Sequence, residues 1–149
     1  MRQLTTGLTQ DIFSILAVNT DTIYACADAG KIIKSVNGGS GWVQQTSPAI
    51  QRLNDIYFLN ALTGTIAGSS SMILRTTNGG ATWLQQQSGV PAGQDYIGVW
   101  FTNITTGYTC GTNGKILKTI TGGFPYPSQP VLTAPPNNAT AVSLTTVLD

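Results

Sequence analysis

Apolar residues in this chain come in short runs, separated by turns rich in Gly, Asn, Ser and Thr. In the middle of the chain the pattern predicts a strand over Asn54 to Leu59 and a polar turn over 60–63. A second strand of small residues follows over Gly64 to Gly68, then a turn at Ser69 to Ser71 and a third strand over Met72 to Thr76. A Gly-Gly hairpin over 77–81 leads into a fourth strand over Thr82 to Gln87. The same order recurs upstream, with strands at Ser14 to Val18, Ile23 to Ala27 and Lys31 to Ser35. It recurs downstream at Gly98 to Thr102, Gly107 to Gly111 and Lys115 to Thr119. Short strands joined by Gly and Asn turns are the pattern of an antiparallel meander.

The three units align with almost no gap. Asn19, Asn60 and Asn103 fall in register, as do Lys34, Arg75 and Lys118, and Gly39, Gly80 and Gly123, at spacings of 41 and 43 residues. A period of about 40 to 45 residues fits one propeller blade. The predicted fold class is therefore all-β, a partial β-propeller of three four-stranded blades from a larger propeller of about six to eight blades. The blades are expected at about 8–47, 52–89 and 95–126, with 1–7 as the last strand of a preceding blade. A β-sandwich also has many short strands, but it does not require near-identical units at a fixed spacing.

The third turn of each unit carries the strongest signature. It reads Ser35-Val36-Asn37-Gly38-Gly39-Ser40-Gly41-Trp42 in the first unit and Thr76-Thr77-Asn78-Gly79-Gly80-Ala81-Thr82-Trp83 in the second. The third copy keeps Thr119, Gly123 and an aromatic, Tyr126. A short polar side chain at Asn37 or Asn78 can hold backbone N–H groups of its own turn. Gly supplies a positive φ, and Trp42 or Trp83 then enters the core. The expected role of these residues is structural, a staple for the hairpin.

In this form the turn resembles the Asp-box (BNR) repeat, Ser/Thr-x-Asp-x-Gly-x-Thr-Trp, with Asn in place of Asp. With the blade opening Leu53-Asn54-Asp55-Ile56-Tyr57-Phe58, the units look most like the photosystem II assembly and stability factor-like propellers of secreted bacterial proteins. The resemblance covers roughly 3–126. It implies an extracellular or cell-surface bacterial protein whose propeller is a non-enzymatic binding or scaffold module for a protein or glycan. Two alternatives come with it: a piece of an Asp-box glycoside hydrolase, and a photosystem II assembly factor-like protein. A sialidase-like site needs an arginine cluster and a Tyr/Glu pair, whereas this chain has no Glu and only Arg2, Arg52 and Arg75.

Composition narrows the chemistry. Charged residues make up 9%, from seven basic and six acidic side chains, against roughly 25% in an ordinary domain. Such a surface offers no footprint for nucleic acid and no polybasic patch for a membrane. No apolar stretch approaches the roughly 20 residues of a membrane helix, so no membrane insertion is expected. His is absent along with Glu, which removes the commonest general base and metal ligand. No catalytic residue, cofactor or metal is expected. The residues after Met1 lack an apolar signal-peptide run, so any export signal is expected outside these 149 residues.

Propellers usually meet ligands on the face formed by the loops leading into the innermost strands and those joining strands two and three. Here the lead-in loops place Asp11, Arg52 and Asp95 at one repeat position, and the second set holds Asp28 and Asn113. These loops vary between units on a constant scaffold. Asp11 and Asp95 are also the residues a paired-carboxylate glycosidase would use. Lys34, Arg75 and Lys118 are expected to flank the turn or lay their stems beside the Trp. Tyr57, Trp100 and Phe101 are expected in the core. Cys26 and Cys110 fall at one repeat position, two blade spacings apart, and are expected to be free thiols.

The tail changes character. Residues 127–136 read as a Pro-rich linker. Residues 137–149 resemble the truncated start of a fibronectin type III-like domain. The expected partners also include further blades of a parent chain, or a second copy meeting the open blade edges.

Overall fold

A computed structural model describes residues 3–88 and 93–123. Among the described residues, eleven strands form three antiparallel meanders. The first sheet runs β1 (Ile12–Ala17), β2 (Ile23–Ala27), β3 (Ile32–Ser35) and β4 (Val43–Gln45) in spatial order. The second runs β5 (Leu53–Phe58), β6 (Gly64–Gly68), β7 (Ile73–Thr76) and β8 (Leu84–Gln85). The third holds β9 (Tyr96–Phe101), β10 (Gly107–Gly111) and β11 (Ile116–Thr119). Its expected fourth strand, with Tyr126, lies outside the described residues, as do the linker and the fibronectin-like segment. Among the described residues no helix is long and apolar enough to cross a membrane.

The innermost strands begin earlier than the alternation suggests. Each has a bulge near its start, at Phe13, Asn54 and Ile97, and pairing resumes beyond it as Ile12 with Ala27, Leu53 with Gly68, and Tyr96 with Gly111. A bulge shifts the side-chain alternation by one, which hid those first residues from a strict period of two. The fourth strands are shorter than expected, two residues in β8 against Thr82 to Gln87.

The sheets stack through their faces. Tyr24, Cys26 and Ile32 of the first sheet meet Leu53, Ile56, Phe58, Ile66 and Leu74 of the second in one buried cluster that includes Trp83. Tyr24 stacks on Phe58 with ring centroids 4.2 Å apart, and Trp83 meets Phe58 edge-on at 5.9 Å. A smaller cluster of Ala67, Tyr96, Val99 and Phe101 joins the second sheet to the third. Burial of these faces is the main source of cohesion. Trp83 is buried, as expected, but Trp42 is only half-buried. The two stand at the same repeat position. Trp83 packs against a preceding sheet, while Trp42 has Leu4 close to its turn.

Candidate functional site

The Gly-Gly turns are fastened by their own side chains. Ser35 Oγ accepts from the N–H groups of Asn37 and Gly39 and donates to Asn37 Oδ1, which accepts from the Gly41 N–H. Thr76 and Asn78 repeat this, with Asn78 Oδ1 accepting from the Thr82 N–H at 2.9 Å and Asn78 Nδ2 donating to Thr82 Oγ1. In the third unit Thr119 Oγ1 still accepts from the N–H groups of Thr121 and Gly123. Gly80 has a φ of +79°, and a Cβ there would stand 3.0 Å from the Tyr24 ring. Glycine is therefore needed both for the turn and for the approach of the neighbouring sheet.

Lys34 and Arg75 flank their own turns, each one residue before the end of its strand. Each side chain crosses to the next sheet. Lys34 Nζ donates to the Gly79 carbonyl at 3.0 Å, beside the Tyr24 hydroxyl, which donates to the same oxygen at 2.6 Å. Arg75 Nη2 donates to the Ile104 carbonyl at 2.9 Å, and its guanidinium lies 5.0 Å from the Phe101 ring centre. Burial pulls the Arg75 pKa below its usual value. Lys34 packs over Tyr24, not over Trp42. Lys118 lies in the same way over Tyr108, at 5.7 Å.

The loop residues form a rim along one end of the stack. The Asp28 N–H donates to the Asp11 carbonyl, and the Ser69 N–H to the Arg52 carbonyl. The Thr112 N–H donates to the Asp95 carbonyl. Between units, the Asp28 carboxylate pairs with Arg52 at 3.4 Å, and Arg52 sits 4.8 Å over the Phe13 ring. Asp95 Oδ1 accepts from the Ser70 N–H at 2.9 Å. Asp28, Arg52 and Phe13 thus form one cluster, and Asp95 is tied to the loop before it. Asp11 joins through its backbone. Asn113 sits at the tip of the third hairpin with a φ of +58°. The Asp28–Arg52 pair is exposed, so it orders the rim more than it stabilises the fold.

Asp55 has a role that the repeat alignment left unassigned. It stands on β5 at the position of Ser14 and Gly98. Its carboxylate accepts from Ser14 Oγ at 2.8 Å and from the Val99 N–H at 2.8 Å. One side chain therefore links the innermost strands of all three sheets. An acid among the apolar residues of a strand was the available signal. Its neighbour Cys26 is buried, and desolvation, with the Asp55 charge second, pushes the thiol from 9.0 up to about 12. Both cysteines are free, Cys26 buried and Cys110 exposed. Phe101 is in the core as expected, but Trp100 is exposed and tilts against Tyr57 at 4.6 Å.

A cavity of about 310 Å³ opens between the second and third sheets, where Thr65, Arg75, Gln86, Phe101, Leu117 and Gly123 line it. Among the described residues no three His, Cys, Asp or Glu side chains gather as metal ligands would.

Repeated meander sheets, stacked face to face with their loops along one rim, define a partial β-propeller. No protein-family model and no curated protein matches the sequence. Solved structures do. YCF48 bound to a D1 peptide is 21% identical with a TM-score of 0.69, over 82% of this chain and 39% of that one. YCF48 from Cyanidioschyzon merolae is 18% identical with a TM-score of 0.70, over 82% of this chain and 40% of that one. An ancestral GH74 enzyme is 20% identical with a TM-score of 0.65, over 82% of this chain and 19% of that one. These likenesses establish the propeller fold. The chain spans about two fifths of the length of the two YCF48 structures.

Proposed function

We propose that the chain is a non-catalytic propeller module of an extracellular bacterial protein, binding a protein segment on the rim that carries Asp11, Asp28, Arg52, Asp95 and Asn113. The observation that carries the reading is the rim itself. Loops that differ from unit to unit are fastened in a row on a repeated scaffold, which is how repeat folds acquire specificity without changing their core. Arg52, half-exposed and laid over Phe13 beside Asp28, has the Arg and aromatic character of an interface anchor. YCF48, whose structure holds a D1 peptide, supports a polypeptide over a glycan as the occupant. The polar contacts made by the Asp28, Asp55 and Asp95 carboxylates support a structural use of the acids. The fastened Gly-Gly turns support the Asp-box reading of the repeat.

Random peptides displayed on phage, selected on the immobilised chain and then measured singly by fluorescence anisotropy, test this reading. Arg52→Ala is expected to weaken the selected peptides by about ten-fold without changing the thermal melt. Binding indifferent to Arg52→Ala would move the site off the rim. Turnover of xyloglucan or sialoside substrates, lost on Asp95→Asn, would replace a binding module with a glycosidase.

A further inference from the structure

The first and third sheets carry the same four residues on the face that looks toward the following unit. They are Tyr24, Cys26, Ile32 and Lys34 in the first, and Tyr108, Cys110, Ile116 and Lys118 in the third. Cross-strand pairing places each set on one face: Tyr24 opposite Lys34 and Cys26 opposite Ile32, then Tyr108 opposite Lys118 and Cys110 opposite Ile116. The second sheet differs, with Thr65, Ala67, Ile73 and Arg75 in the same places.

In the first sheet this face is a working interface. Tyr24 and Lys34 together hold the Gly79 carbonyl, and Cys26 Sγ reaches the Leu53 carbonyl at 3.5 Å. In the third sheet the cation is already poised over the ring, at 5.7 Å against 5.2 Å in the first. Yet Tyr108, Cys110, Ile116 and neighbouring Trp100 stand in solvent. The face that matches is also in the chain. Ile12, Ile15, Gly38 and Trp42 occupy in the first sheet the positions of Leu53, Ile56, Gly79 and Trp83 in the second, and Ile12 and Ile15 are exposed.

We propose that a second copy of this chain docks head to tail on the third sheet. Tyr108 and Lys118 hold the Gly38 carbonyl of that copy as Tyr24 and Lys34 hold that of Gly79, and Cys110 comes against its Ile12. The contact is heterologous. It closes a ring if the rotation between copies allows and otherwise propagates as an open filament. This proposal does not depend on the binding rim.

Sedimentation velocity of the full chain over a dilution series, with alkylation of Cys110 followed by mass spectrometry, tests it. The chain is expected to associate with rising concentration, and Cys110 to alkylate about ten-fold more slowly in the assembly. Lys118→Ala and Tyr108→Phe are each expected to weaken association by about ten-fold while leaving the melt of the dilute chain unchanged. A chain that stays single at every concentration overturns the proposal. So does an assembly in which Cys110 reacts as fast as in the dilute chain, or one indifferent to both substitutions.

Discussion

The two interfaces between sheets solve one packing problem with different residues. Between the first and second sheets, Tyr24 supplies a ring against Phe58 and Lys34 supplies the cation, and both donate to the Gly79 carbonyl. Between the second and third, Thr65 takes the place of the tyrosine and leaves room. Arg75 enters that room, lies over Phe101, bonds the Thr65 hydroxyl at 3.3 Å and reaches the Ile104 carbonyl. A planar guanidinium does the work of both ring and ammonium, which lysine could not. The lesson is that the unit conserved between sheets is a pair. A flat group covers the phenylalanine and a donor satisfies the neighbouring turn.

The first interface is the larger apolar cluster, so the greatest loss is expected there. Trp83→Ala should cost about 3–5 kcal/mol, read by urea denaturation of the dilute chain. A loss below about 1 kcal/mol would mean that the aromatic does not join the sheets. Alkali should act next, on the order of 4 kcal/mol. The Cys26 thiol is raised from 9.0 to about 12 in the folded chain. Its contribution is therefore complete below pH 9 and disappears as pH rises toward 12. Cys26→Ala should flatten that part of the stability–pH curve, and an unchanged slope would refute the assignment.

At the second interface, Arg75→Lys should cost about 1.5–3 kcal/mol, although lysine stands at the equivalent positions of the first and third units, as Lys34 and Lys118. Equal stability of Arg75→Lys and the parent chain would show that the two pairs are interchangeable and erase the contrast. The smallest effect is expected inside the turns. Thr76→Ala should cost about 1 kcal/mol, in the range of a lost side-chain cap, and Thr119→Ala less, because Thr121 stands in the third turn where Asn78 stands in the second. The reverse order in thermal melts would place the tighter staple in the third unit.

Much of the fold was legible. Two Asn-Gly-Gly turns and the shared register of Asn, cation and Gly marked the units, and most strand ends fell within two residues. The bulges were not legible, because Phe13, Asn54 and Ile97 share no residue type and a bulge leaves no mark in composition. Trp42 and Trp83 looked alike because the motif is local, while their burial depends on which sheet lies beside them. Lys34 and Arg75 were recognised as equivalent, yet periodicity states equivalence without saying which neighbour a long side chain reaches. The rim was anticipated from its loops. The bridging role of Asp55 depends on three strands meeting, and a linear repeat does not display that.

The stacking of repeated sheets is tested most directly by amide hydrogen exchange of the dilute chain, followed strand by strand by NMR. Unit stability in stacked repeats comes largely from neighbours. The second sheet has one on each side, so β5, β6 and β7 should exchange most slowly, with β1 to β3 intermediate and β9 to β11 fastest. Exchange slowest in the third sheet, or uniform across all three, would contradict a stack in which each sheet is held by the sheets beside it.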